Sequence, residues 1–435
     1  MGAPMSVRRR IVQGIGANGF GQAVTILIQL ASVPILINAW GLDLYGEWVI
    51  LSAIPSYLTL SDVGLTTIAG NQLALLAETR DERRMSAIYQ SAWALVTLLS
   101  CAVLVPVVAT IWLTEPARLL GLTRITGTTL DLALLLLFLH VAMSIQTGIL
   151  QLPFRATKEN PFSVALVNAI RLLEWSAATA VVLLGGTVVD MALAFLAVRT
   201  LGNAGMWAIL RRRASVLRLG IADARPRIMR ELLRPSLASM GFPLGLAFTL
   251  QGFVLLIGSV VGAGGVALFS VYRTFARVPI QVATSVNQAV WPELSYAFGA
   301  NDAPKAAQLV RKMLQFGAIS SAGAVLVAFL LGERVIDWWV SKALEHSPRL
   351  LIVLMLTTLV HVCWQPLWVA QIATNRHTRF AFWFVTISAL SLVPGWLLLE
   401  DFDLNGAGYA ILLSECLLAT AAVVTFKRSF RVASP

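Results

Sequence analysis

Long apolar runs, broken by short polar or basic clusters, follow one another along the whole chain. A helix needs about 20 consecutive apolar residues to cross the hydrocarbon core of a bilayer. Runs of this kind predict helices at about 12–38, 48–77, 87–112, 129–152, 162–184, 187–210, 236–260, 265–294, 309–332, 349–373, 380–399 and 406–426, their ends placed to within roughly 2–4 residues. The pattern predicts an all-α polytopic membrane protein with twelve transmembrane helices.

The polar positions inside these runs are ordered. In the first helix Asn18, Gln22, Thr25, Gln29 and Ser32 recur at spacings of 4, 3, 4 and 3, which sets them on one stripe. Such a stripe serves either as a hydrogen-bonded seam between helices or as the wall of a wet cavity. Three amides on one face favour the cavity. The second helix carries Ser52, Ser56, Thr59, Asp62 and Thr66, with Pro55 able to kink it. A carboxylate at the middle of a span needs water, a partner or a proton, and a structural bond to a nearby hydroxyl or arginine would satisfy Asp62 equally well. The eighth helix carries Arg273, Arg277, Gln281, Ser285 and Gln288, with no acid on the same helix before Glu293. Two guanidiniums one turn apart repel each other and cannot escape by losing a proton, so this pair predicts anions or water at its side. In the fifth helix Arg171 and Glu174 stand three apart, a spacing that allows a structural ion pair. Arg199 in the sixth has only Asp190 as a nearby helical acid. Four buried arginines set against Asp62 and Glu174 predict a site for a polyanion, since planar guanidinium forks suit phosphate oxygens.

Composition narrows the class. Of 435 residues, 57% are hydrophobic and 13% charged, with mean hydropathy +0.77. Soluble domains carry about 25% charged residues. An ordinary soluble enzyme, a disulfide scaffold and a disordered chain are excluded. The net charge of +11 is no sign of nucleic-acid binding, because its residues cluster between apolar runs as topology signals do. With a cytoplasmic N-terminus, 24 of the 33 lysines and arginines fall on the inside, 5 on the outside and four within helices. Both termini are thereby predicted to be cytoplasmic. Arg8–Arg10 precede a first helix expected to be retained rather than cleaved. Cys101, Cys363 and Cys416 lie inside apolar runs and are expected to be inert packing residues.

The one long basic stretch, 211–235, divides the chain into a lobe of six helices at 1–210, a basic cytoplasmic linker at 211–235 and a second six-helix lobe at 236–435. A shift of 221 residues superposes Gly41 on Gly262, Asp81 and Arg84 on Asp302 and Lys305, His140 on His361, Arg155, Thr157 and Lys158 on Arg376, Thr378 and Arg379, Trp175 on Trp396, and Gly185 on Gly406. Six helices return the chain to the same side, so the lobes are parallel. Such halves suit an alternating-access transporter with a central cavity. His140 and His361 read as hydrogen-bonding core residues, because no cysteine or carboxylate joins them at metal-ligand spacing, and no metal site is expected. No phosphate-binding Walker loop is present, so no nucleotide or other cofactor is expected. A membrane glycan polymerase or ligase would need catalytic groups in a sizeable outer loop. Those at 113–128 and 333–348 are short and offer only Glu333, Asp337 and Glu345.

Gly41-Leu42-Asp43-Leu44-Tyr45-Gly46-Glu47-Trp48, then Leu60-Ser61-Asp62-Val63-Gly64-Leu65, resemble the opening of Wzx-type polysaccharide flippases. Tyr272-Arg273 to Pro279, Trp291-Pro292-Glu293-Leu294-Ser295, and Asp302, Lys305 and Ala306 resemble the eighth helix and following loop of the same superfamily. It also holds the MATE multidrug exporters and the lipid II flippase. The lipid II flippase has two further helices. MATE exporters bind mostly cations, which four embedded arginines oppose. The resemblance implies a flippase that carries an undecaprenyl-pyrophosphate-linked oligosaccharide from the cytoplasmic to the periplasmic leaflet of a bacterial inner membrane. The product would feed O-antigen, lipopolysaccharide, capsule or exopolysaccharide assembly beside a polysaccharide polymerase and a chain-length regulator. Arg273, Arg277, Arg171 and Arg199 would hold the pyrophosphate, Asn18, Gln22, Gln29 and Gln281 would line the sugar path, and Asp62 and Glu174 would carry the coupled ion or proton.

Overall fold

The computed structural model describes residues 7–431 except positions 63, 80, 114–119, 158, 214–216, 301, 341–346 and 375. Val63, Arg80, Arg118, Lys158, Lys342 and Glu345 therefore lie outside the described residues. The helices are α1 (Val7–Ser56), α2 (Leu65–Thr79), α3 (Glu82–Leu113), α4 (Gly127–Ala156), α5 (Asn160–Leu183), α6 (Val188–Arg213), α7 (Pro226–Ser239), α8 (Gly241–Ala247), α9 (Phe253–Val260), α10 (Ala263–Ala276), α11 (Val278–Gly299), α12 (Ala303–Val340), α13 (Pro348–Ala373), α14 (Thr378–Leu390), α15 (Leu392–Phe402) and α16 (Leu404–Arg431). The fold is all-α. Among the described residues ten runs are long and apolar enough to cross a membrane. The first, Gly16–Leu73, is 58 residues long and holds two of the predicted helices. The predicted eighth is divided between α10 and α11, which brings the number of crossings to the expected twelve.

The helix ends follow from local chemistry. Gly41 breaks α1 with φ 79° and ψ 171°, and Gly262 precedes α10 with φ 92° and ψ −175°. This conformation is open essentially to glycine alone, and both glycines occupy it 221 residues apart. Asp81 Oδ1 accepts the Arg84 N–H at 3.0 Å ahead of α3, and Asp302 Oδ1 accepts the Lys305 N–H at 3.0 Å ahead of α12. Each carboxylate satisfies an amide that the first turn of a helix leaves unpaired. Proline sits in the first turn of α5, α7 and α13, where its missing N–H costs nothing. The predicted 48–77 helix is not continuous: a 3-10 turn at Tyr57–Asp62 interrupts it, and Gly64 follows with φ 74°. Gly252 closes a π-helical turn, Phe248–Gly252, that joins α8 to α9.

The chain forms two compact units. The first comprises Met1–Ile28, Leu51–Leu119 and Thr123–Met240, the second Gln29–Ile50, Leu120–Leu122 and Gly241–Pro435. In the first, Leu150 and Phe154 of α4 pack on Met206 and Leu210 of α6. In the second, Trp364 and Trp368 of α13 pack on Phe380 and Phe384 of α14 and on Leu418 of α16. Phe242 stacks on Trp368 and Phe384, ring centroids 4.9 and 4.5 Å apart. Burial is uneven: 56% of an 18-residue apolar stretch of α13 is buried but only 17% of one in α12, so α13 is a core helix and α12 offers most of its apolar side chains outward. The three cysteines, expected to pack inside, are all exposed. In a membrane an apolar run has no reason to face inward, since lipid accepts it as well as protein does.

The stretch 211–235 is more than a loop. Its second half enters α7, a strongly amphipathic helix whose Leu232 and Ser236 are buried. Before it, Asp223 Oδ2 accepts the Ser86 hydroxyl at 2.6 Å, Gln90 Oε1 accepts the Asp223 N–H at 2.6 Å, and Ser91 Oγ accepts the Arg225 N–H at 2.9 Å. The segment is thus fastened to the first turns of α3.

Candidate functional site

In the second unit Arg273 and Arg277 end α10 and open the junction to α11. Pro279 has no N–H to continue the ladder, and it falls in the first turn of α11, where it is tolerated. Both guanidiniums line one cavity of about 50 Å³, together with Thr249, Thr357, Thr358, His361 and Glu415. A water needs about 10–15 Å³ by this measure, so the space suits a few waters or one compact anion. Arg273 donates to the carbonyl of Leu250 at 2.7 Å, inside the π-helical turn that frees such carbonyls. It also lies over the Phe269 ring at 5.2 Å.

Glu415 of α16 faces the arginines from the other wall and acts electrostatically on Arg277. It accepts the Trp364 indole N–H at 2.7 Å and stands 3.1 Å from His361 Nδ1. The sequence pattern had set the four embedded arginines against Asp62 and Glu174 alone; Glu415 corrects that balance, and it supplies the acid that no register on the eighth helix could. The signal was a lone carboxylate within an apolar run, Leu413-Ser414-Glu415-Cys416-Leu417. Gln281 donates to Gln29 Oε1, and deeper in the unit Asn287 donates to Gln365 at 2.9 Å, which donates to Thr284 at 2.8 Å.

The first unit holds a second charged cluster. Arg199 donates to Glu174 Oε2 at 2.5 Å, both side chains being almost fully buried. His140 Nε2 lies 3.2 Å from the other carboxylate oxygen. Arg199 also reaches Thr147 Oγ1 at 3.5 Å; Thr147 donates to Asn203 at 2.7 Å, and Asn203 to the Met143 carbonyl at 2.8 Å. The ion pair expected between Arg171 and Glu174 is therefore replaced by one between helices. Arg171 instead donates to Asn168 at 3.3 Å and Thr25 at 3.4 Å. Asp190, the acid expected nearest Arg199, turns outward and accepts from the Thr187 N–H and hydroxyl at the start of α6. Asp62 accepts from the Thr66 N–H at 3.1 Å and its hydroxyl at 2.7 Å, so it caps α2.

The residues of the first-helix stripe fall in both units. Asn18 is exposed and Gln22 half-buried. Thr25 turns to the Gly21 carbonyl at 2.9 Å and meets Arg171, while Gln29 belongs with Gln281 in the second unit. Both histidines matched by the repeat meet a glutamate, but from different helices, α5 for His140 and α16 for His361. Among the described residues no group of three His, Cys, Asp or Glu could hold a metal ion.

Known proteins place this architecture. No curated protein sequence matches the chain. A multidrug resistance MATE family transporter of the MOP superfamily, solved in an inward-facing conformation, superposes with TM-score 0.70 at 15% identity, over 94% of this chain and 100% of that one. The lipid II flippase MurJ, in an inward closed conformation, superposes with TM-score 0.71 at 12% identity, over 97% and 87%. A MOP superfamily transporter from Pyrococcus furiosus, described by the reverse polarity of its binding pocket, gives 0.61 at 15% identity, over 98% and 95%. The fold is that of these transporters. A family model described as polysaccharide biosynthesis protein matches residues 63–347, more than half of the chain, and the chain belongs to that family.

Proposed function

We propose that the protein flips an undecaprenyl-pyrophosphate-linked oligosaccharide from the cytoplasmic to the periplasmic leaflet of a bacterial inner membrane by alternating access, within the assembly of O-antigen or exopolysaccharide. The observation that carries this reading is the pocket of Arg273 and Arg277. Its size suits a compact anion, and its charge remains positive after Glu415 is set against the two arginines. A pyrophosphate would receive charge-assisted bonds from both forks, with Arg171 and Arg199 as further cations of the first unit. Asn18, Gln22, Gln29 and Gln281 would serve the sugars. Family membership in polysaccharide biosynthesis supports this substrate over a drug, and the likeness in fold to a lipid II flippase supports a lipid-linked one. With no nucleotide motif in the sequence, the driving force is an ion gradient or consumption of the product by a polymerase and its chain-length regulator. Asp62 and Glu174 are the proposed ion or proton carriers, Glu174 supported by its bonds to both His140 and Arg199.

The test is surface glycan display in a strain lacking its own copy, with protein level in the membrane checked alongside. Arg→Lys at 273 or 277 keeps the charge and loses the fork, and should impair display in part. Arg→Ala should impair it severely, by roughly 1.5–3 kcal/mol per lost charge-assisted bond. Arg→Glu should abolish it. Full display by both alanine variants would overturn the reading and favour a MATE-like exporter.

A further inference from the structure

The first unit holds a second, half-open cavity, about 840 Å³ in volume, between α3, α4, α6 and the turn at 217–219. Its wall is mainly apolar, with Trp93, Met143 and Leu150 among its side chains, and its mouth carries Arg211 and Arg218. Among the described residues that line it there is no carboxylate. Arg211 lies over the Trp207 ring, 4.0 Å from its centroid. Gln146 donates to Thr97 at 3.1 Å within it. The cavity is therefore amphipathic, with aromatic and aliphatic depth and a cationic rim.

Its place in the bundle gives its scale. Trp93 is in the first half of α3, while Gln146 and Trp207 are in the second halves of α4 and α6. Each of the three helices carries arginine at that same end, at Arg83 and Arg84, Arg155 and Arg211, while Arg199 lies mid-way along α6. From Gln146 to the end of α4 is about 15 Å at 1.5 Å per residue, which is one leaflet of a core about 30 Å thick. A volume of several hundred Å³ holds a headgroup and part of a chain. Basic pockets between transmembrane helices on the cytoplasmic side take acidic lipid headgroups.

We propose that this cavity seats an anionic phospholipid of the inner leaflet, its phosphate against Arg211 and Arg218 and an acyl chain along Trp93, Met143 and Leu150. The choice of leaflet rests on the topology proposed above; binding itself does not. Asn203 forms part of the wall and belongs to the network of Thr147, Arg199 and Glu174, so the occupant lies against the buried charge cluster of the same unit.

The test needs no transport. The full-length protein in mild detergent is mixed with phosphatidylglycerol or phosphatidylcholine, and retained lipid is read by native mass spectrometry. The wild type should retain phosphatidylglycerol in preference. The doubly substituted Arg211→Gln, Arg218→Gln protein should lose that preference by about thirtyfold, or about fivefold per guanidinium. An unchanged preference would overturn the proposal. Displacement by inorganic phosphate at the same concentration would also overturn it, by making the site one for a free anion. Phosphatidylglycerol brominated on its acyl chains should quench tryptophan fluorescence in the wild type and less in Trp207→Phe. This second readout holds if the double variant folds poorly, and equal quenching would count against an acyl chain at this place. Loss of lipid preference with normal glycan display would leave the transport reading intact, and the converse would leave the lipid site intact.

Discussion

At the scale of single residues, the buried ion pair of Glu174 and Arg199 makes the sharpest demand on the fold. Removing one partner of such a pair leaves an uncompensated charge in a low-dielectric interior, at about 3–5 kcal/mol, whereas replacing both by apolar groups is often neutral. Arg199→Ala and Glu174→Gln should therefore each lower the thermal midpoint of the detergent-solubilised protein strongly. The double variant Arg199→Met, Glu174→Leu should recover much of the loss. Melting of either single variant at the wild-type temperature would show that the pair is solvated. The arginines of the pocket differ, because Arg273 rests on a backbone carbonyl and, among the described residues that line the cavity, Glu415 is the one carboxylate. The sequence revealed the excess of cations in both places. It did not reveal which acid meets which base, because Glu174 bonds a residue 25 positions away rather than the one three positions away.

At the scale of elements, the helix junctions hold the fold in register. Gly262 adopts a backbone conformation that costs about 1–3 kcal/mol for any residue with a Cβ, so Gly262→Ala should destabilise by that amount. Gly46→Ala should be at least as damaging, since its Cβ would come within 1.9 Å of the Ala263 carbonyl oxygen. Gly323→Ala has nothing within 4 Å and should be neutral or slightly stabilising in a helix. Equal melting of all three would remove the argument from backbone geometry. Asp81 and Asp302 stood out in the sequence as matched positions of the two lobes; that each caps the helix after it is seen in the structure. The π-helical turn at Phe248–Gly252 was not legible in the sequence, because nothing in that apolar run distinguishes it from an ordinary helix; the carbonyl it frees is seen only beside Arg273.

At the scale of the whole molecule, the alternation of basic loops makes a prediction about sidedness. In a protein whose Cys101, Cys363 and Cys416 have been replaced by alanine, a cysteine at Ala222 should react with an impermeant thiol reagent only after the inner membrane is opened. One at Thr126 should react without opening it. Both positions are exposed, so silence would not be a matter of burial. Labelling of both from one side would defeat the twelve-helix topology and with it the direction of transport proposed.

What the sequence determined by itself was whatever depends on near neighbours along the chain. The number of crossings follows from the length of apolar runs, and the expected sidedness from the basic clusters that separate them. The cationic character of the interior was equally plain, since an arginine in an apolar run is conspicuous wherever it points. Tertiary structure alone decided the partners. Glu415 meets His361 from 54 residues away and Arg277 from more than a hundred, and Arg199 takes Glu174 from Arg171. The physical reason is the solvent. In a bilayer the outward faces of helices are as apolar as the inward ones, so hydrophobic periodicity, which orients a helix in water, says little about which face meets which neighbour. That choice falls to small residues and buried polar bonds, whose partners are brought together only by packing.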